Sequence, residues 1–195
     1  MNYGKKVESP SAGSYLSHGI NENVVALKGE YIETDTYKAV DIYLGTSEDK
    51  AIKHRIFEFK ANPSFDASAE QQEDKFLQNI KSLMSETIGK DNYDKAISKA
   101  TDFKTFATIL CSMCKDKNPK TLPFRLMLIN KENKTNGKNY AVVPTSWAGG
   151  FTESMEVNPT KLKFDESKYG SKKKDESKVE NTSTGSTEDN KMPWE

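Results

Sequence analysis

No stretch of this chain stays apolar over the ~20 residues that a bilayer crossing needs, so no membrane-spanning helix is expected. The first thirty residues also lack the apolar core of a secretory leader, which points to a cytoplasmic setting. Cysteine is scarce. Cys111 and Cys114 stand alone, too few for a disulfide framework. Their C-x-x-C spacing falls inside a helical pattern, and no second pair supplies the remaining ligands of a zinc site. The βαβ context of a redox motif is missing too, so Cys114, on one apolar stripe with Leu110, reads as a buried thiol. Histidine is as rare, with His18 and His54 far apart in unlike contexts. No G-x-S-x-G, Walker A, H-E-x-x-H or H-x-E motif occurs. Acidic residues are plentiful but scattered, so nothing nominates a general base with its partner. The expectation is a protein that is not an enzyme, with no cofactor and no metal.

Apolar residues are in short supply at 34%, against 30% charged, and the shortage is concentrated near the C-terminal end. Residues 168–191 hold one aliphatic side chain, Val179, and one aromatic, Tyr169. Such a stretch cannot bury enough surface to order itself. Setting it aside leaves about 165 residues to build a core. The net charge of zero conceals an asymmetry. Residues 175–195 carry six acids against two lysines, which leaves residues 1–174 at +4. A mildly basic body with an acidic tail suits a polyanion-binding domain whose tail competes with the ligand. A merely solubilising tail fits the same charges.

What the chain does contain is a clear change of period. Residues 1–17, rich in Gly, Ser and Lys, read as a flexible arm. "NVVALKGEYIET", "YKAVDIYLGT" and "AIKHRIFEFK" then read as three antiparallel strands over 23–60, with "GTSEDK" as the second turn. After Ser68, a candidate N-cap, Phe76, Leu77, Ile80, Leu83, Met84, Thr87 and Ile88 recur at helical spacing until Gly89. A short helix near 91–100 faces Tyr93, Ala96 and Ile97 inward. A third, near 102–116, has Thr101 or Asp102 as its cap and a stripe from Phe103 to Cys114. Strand patterns return in "LPFRLMLIN" and "NYAVVP", joined by a turn containing Asn136–Gly137.

The expected fold is therefore mainly β, α+β by content: a five-stranded OB-fold-like barrel over 18–164 with helical block 68–117 inserted between its third and fourth strands. Residues 165–195 are expected to form a disordered acidic tail. Other five-stranded barrels and α+β sandwiches share this order of elements.

The third strand carries the most chemistry. Alternation puts Lys53, Arg55, Phe57 and Phe59 on one face and Ile52, His54, Ile56 and Glu58 on the other. Cations interleaved with flat rings are what a single-stranded nucleic acid site needs, for phosphates and bases respectively. A bulge after Arg55 would instead turn both Phe rings into the core. Arg125 alternates opposite Phe124, Leu126 and Leu128 and is expected to leave the core. Lys131, Lys134 and Lys138 crowd the last turn beside Tyr140, where an OB-fold holds oligonucleotides; ordinary surface fits them as well. Trp147, next to Gly149–Gly150, either stacks on bases or plugs the barrel mouth.

The chain ends in "EDNKMPWE". Met192, Pro193 and Trp194 follow some twenty polar residues and cannot belong to a core, so they read as a docking motif. The whole arrangement resembles the phage single-stranded DNA-binding proteins: basic and aromatic strand faces, a linker, then an acidic tail with an aromatic tip. The resemblance implies that Glu188, Asp189, Met192, Pro193 and Trp194 bind replication or recombination proteins. It also implies that the body coats single-stranded DNA in the host cytoplasm. The pattern departs at Lys191, which interrupts the acids, and at Glu195, which follows the ring. A body charge of only +4 implies moderate affinity, with cooperative binding or a homo-oligomer supplying the rest. The competing expectation is a non-catalytic protein-interaction or virion-associated component that binds no nucleic acid.

Overall fold

The computed structural model describes residues 16–135, 137–144 and 150–170. Three strands come first, β1 (Gly19–Glu33), β2 (Lys38–Ser47) and β3 (Lys50–Phe57), followed by helices α1 (Ala69–Ile88), α2 (Lys90–Ile97) and α3 (Phe103–Ser112). Strands β4 (Phe124–Glu132), β5 (Asn139–Val142) and β6 (Thr152–Ser154) complete the sheet, and a one-turn helix α4 (Glu166–Tyr169) closes the described chain. The strands form one antiparallel sheet in the order β3-β2-β1-β4-β5, with β6 added alongside β4. β1 pairs with β4 through residues 19–24 and with β2 through residues 25–33, so one long strand belongs to both halves.

The expected barrel is not closed. Among the described residues no ladder joins β3 to β5, and the sheet stays open along that seam. β5 is only four residues long, and Pro144 just beyond it brings no N–H to extend a ladder. Thr152–Ser154 forms a further short strand that the sequence pattern did not suggest.

The helices follow the apolar periodicity closely. Ser68 caps α1 with a complete capping box: its hydroxyl accepts from the Gln71 N–H and the Gln71 side chain accepts from the Ser68 N–H. Ile80, Leu83, Met84 and Thr87 are the inward stripe of α1, and Gly89, at φ 82°, makes the turn into α2. Asp102 caps α3 by accepting from the Thr105 N–H at 2.7 Å. α3 lies directly on β1 at Gly29, where a Cβ would come within 2.8 Å of Cys111 Cα. Cys114, just beyond α3, is completely buried, and burial pushes its thiol up to about 12. The core joins these helices to Val24, Ala26, Val40, Ile42, Leu44, Leu126 and Leu128 of the sheet.

Both ends of the body reach further than their composition suggested. Leu16, assigned to the flexible arm, is buried in the core cluster. Asp165, assigned to the disordered tail, caps α4 by accepting from the Ser167 and Lys168 N–H groups. Glu166 then meets His18 at 3.3 Å, and the Phe164 ring packs 6.0 Å from the His18 ring. The ends order each other through contacts far apart in sequence.

Candidate nucleic-acid interface

β3 is an edge strand, and its alternation is regular. Its register with β2 runs unbroken from Ala39 opposite Phe57 to Gly45 opposite Ala51. A bulge after Arg55 is therefore absent. Ile56 is buried on the core side and His54 lies partly buried on that same side. Burial disfavours the imidazolium and brings His54 down to about 4, against the opposing pull of Asp41. Lys53, Arg55 and Phe57 face outward, with the Phe57 ring 52% exposed. Phe59 does not join them. It lies beyond the end of the strand and folds onto Phe76 of α1, ring centroids 5.5 Å apart. It lines a second, smaller apolar pocket that includes Ile80 and Phe151.

The outward face also carries an acid that the pattern of cations and rings does not single out. Asp41 of β2 sits opposite Arg55 and is almost fully buried, at 2% exposure. Arg55 donates to both of its oxygens, from Nε at 2.6 Å and from Nη2 at 2.7 Å, and Lys53 Nζ lies 3.5 Å away. The paired guanidinium holds the Asp41 carboxyl below the usual carboxylate range, more than offsetting its desolvation. The other side of Arg55 covers the Tyr37 ring at 5.9 Å, and Tyr37 meets Phe57 edge-on at 5.5 Å. Hairpin pairing of Asp41 with Arg55 was the available sequence signal, since both lie on outward positions of adjacent strands.

Across the open seam, β5 faces β3 over a groove of about 1050 Å³. Lys53, Arg55 and Phe57 line one bank; Lys131, Tyr140 and Val142 are on the other. Lys131 and Tyr140 are direct cross-strand partners, and the Tyr140 ring is 45% exposed. Lys134 and Lys138 are exposed in the adjoining β4–β5 turn rather than in the groove itself. Trp147 and the tail residues Glu188, Asp189, Met192, Pro193 and Trp194 lie outside the described residues.

Arg125 is elsewhere, and buried. It does leave the apolar core as alternation demands, but the segment after β6 covers it to 8% exposure. Its guanidinium donates to Glu22 at 3.1 Å, Glu153 at 3.2 Å and the Val157 carbonyl at 2.6 Å. Glu153 in turn accepts from the Thr160 hydroxyl and the Lys161 N–H. Arg125 therefore staples residues 153–161 onto β4 and offers no cation to the groove.

Among the described residues no group of three or more His, Cys, Asp or Glu could hold a metal ion, and no helix is long and apolar enough to cross a membrane. No protein-family model matches the chain, and no curated protein matches it. The groove is left to speak through its own chemistry: cations and half-exposed rings on both banks of an open seam.

Proposed function

We propose that this chain is a non-catalytic protein that binds single-stranded DNA along the β3–β5 groove, coating exposed strands in replication or recombination. The observation that carries this reading is the convergence of Lys53, Phe57, Lys131 and Tyr140, from strands some 75 residues apart, on one groove. Ammonium groups there neutralise phosphates while the two rings stack on bases of any identity. We read the strand order, with its helical block between β3 and β4, as an OB-like barrel left open at the seam, which is the architecture that holds oligonucleotides. In this reading the acidic segment with Trp194 recruits partner proteins, as in the phage proteins the chain resembles.

Titration of fluorescent oligo-dT at rising salt tests it. With Lys53 and Lys131 of the groove joined by Lys134 or Lys138 of the adjoining turn, log K should fall with log salt at a slope of roughly −2 to −3. The double variant Phe57→Ala, Tyr140→Ala should weaken binding by about 1–3 kcal/mol per lost stack. A flat salt response would sink the proposal. One observation favours the alternative, a protein-docking or virion-associated component: Asp41 offsets Arg55 and shares Lys53, which leaves the β3 bank apolar for its charge count. That alternative requires that no oligonucleotide binds at all.

A further inference from the structure

We infer that Asp41, Arg55 and Phe57 form a guanine-reading subsite within the groove, so that binding is tightest where a guanine falls opposite β3. The inference rests on the single-strand reading above and adds a base preference to it. Arg55 uses one edge of its guanidinium, Nε and Nη2, on the two oxygens of Asp41. No other bond from this guanidinium is found among the described residues, so the remaining N–H groups of Nη1 and Nη2 make up its free end-on edge. A guanidinium edge of that kind matches two acceptors side by side. Phosphate oxygens and the O6/N7 edge of guanine both provide such a pair.

Two features of the groove favour the base. The buried Asp41 carboxylate already compensates Arg55, and with Lys53 the trio nets only one positive charge, a weak field for a phosphate. The Phe57 ring stands half exposed beside the Tyr37 ring that underlies the guanidinium, so a base stacked on Phe57 brings its edge toward Arg55. Asp41 is then a positioning residue. It is buried, touches no ligand, and fixes the direction in which Arg55 points. Adenine presents an amino donor where guanine has O6, and faces the guanidinium with like polarity.

The test compares short oligo-dT with the same oligomer carrying one central dG, one dA or one 7-deaza-dG, using full-length protein. The dG oligomer should bind roughly 5- to 150-fold tighter than oligo-dT, the discrimination expected of a good bidentate base contact. The dA and 7-deaza-dG oligomers should fall back toward oligo-dT. Arg55→Gln and Phe57→Ala should each abolish the dG preference. Asp41→Asn should abolish it too while leaving the oligo-dT salt slope equal or steeper, a split that simple destabilisation would not produce. The 7-deaza comparison needs no altered protein and so stands even if Asp41→Asn fails to fold. Equal affinity for dG and oligo-dT, with both binding, overturns the guanine subsite and leaves the single-strand reading intact. A dG gain that survives 7-deaza substitution also overturns it. If no oligomer binds, both readings fall.

Discussion

His54 and Asp41 lie on opposite faces of neighbouring strands and respond to acid in different windows. Partly buried on the inner side, His54 takes up a proton near pH 4 in the folded chain, against about 6.5 when unfolded. Between those values the unfolded chain binds more protons, so stability must fall as pH drops from about 6.5 toward 4. The loss should total about 3 kcal/mol, read as a falling melting temperature between pH 7 and pH 4. His54→Gln should flatten that part of the curve, and an unchanged slope would contradict the inward placement of His54. Asp41 acts lower. Its folded carboxyl is depressed by Arg55, so its contribution is present above the ordinary carboxylate range and is lost only as pH falls below it. At this scale the sequence named Lys53, Arg55 and Phe57 correctly as neighbours on one face. It missed Asp41, although hairpin pairing sets it opposite Arg55, and it misjudged Arg125 and Phe59 because each depends on a partner from a distant element: Glu153 for one, Phe76 for the other.

Elements are where the sequence is most legible. Helix periodicity, strand alternation and capping are all set by residues within a turn or two of one another. Ser68, Gly89 and Asp102 mark helix boundaries in the structure as they do in the text of the chain. The Ser68–Gln71 box lies at the start of α1, and neither residue lines the groove. Ser68→Ala should therefore lower stability by about 1 kcal/mol, measured by urea denaturation, with oligo-dT affinity unaffected. A loss of binding in that variant would mean that α1 is coupled to the groove. β6 escaped notice for the opposite reason. Three residues carry too little pattern to announce a strand, and Thr152–Ser154 becomes one only because β4 offers a free edge.

For the molecule as a whole, the open seam matters most. β3 and β5 are the two ends of the sheet order, and leaving them unpaired creates the groove. In the proposed reading, ligand entry then requires no strand to move. The charge asymmetry belongs to this scale as well. Residues 175–195 carry a net −4, and in the proposed reading this acidic segment competes with polyanions for the groove. A form ending at Lys174 should bind oligo-dT roughly a few-fold tighter at low salt, with the difference fading as salt screens the tail. Weaker binding by the shortened form would show that the tail assists rather than competes.

Local order in this chain follows from local pattern: the first three strands, three helices of which two carry side-chain caps, and the Lys53–Arg55–Phe57 face are all written in residues a few positions apart. Closure, burial and company are not. Whether the sheet met itself and which charge lay under the 153–161 segment were decided by contacts between residues 28 to more than 80 positions apart. Such contacts depend on how whole elements pack, and no window of sequence contains them.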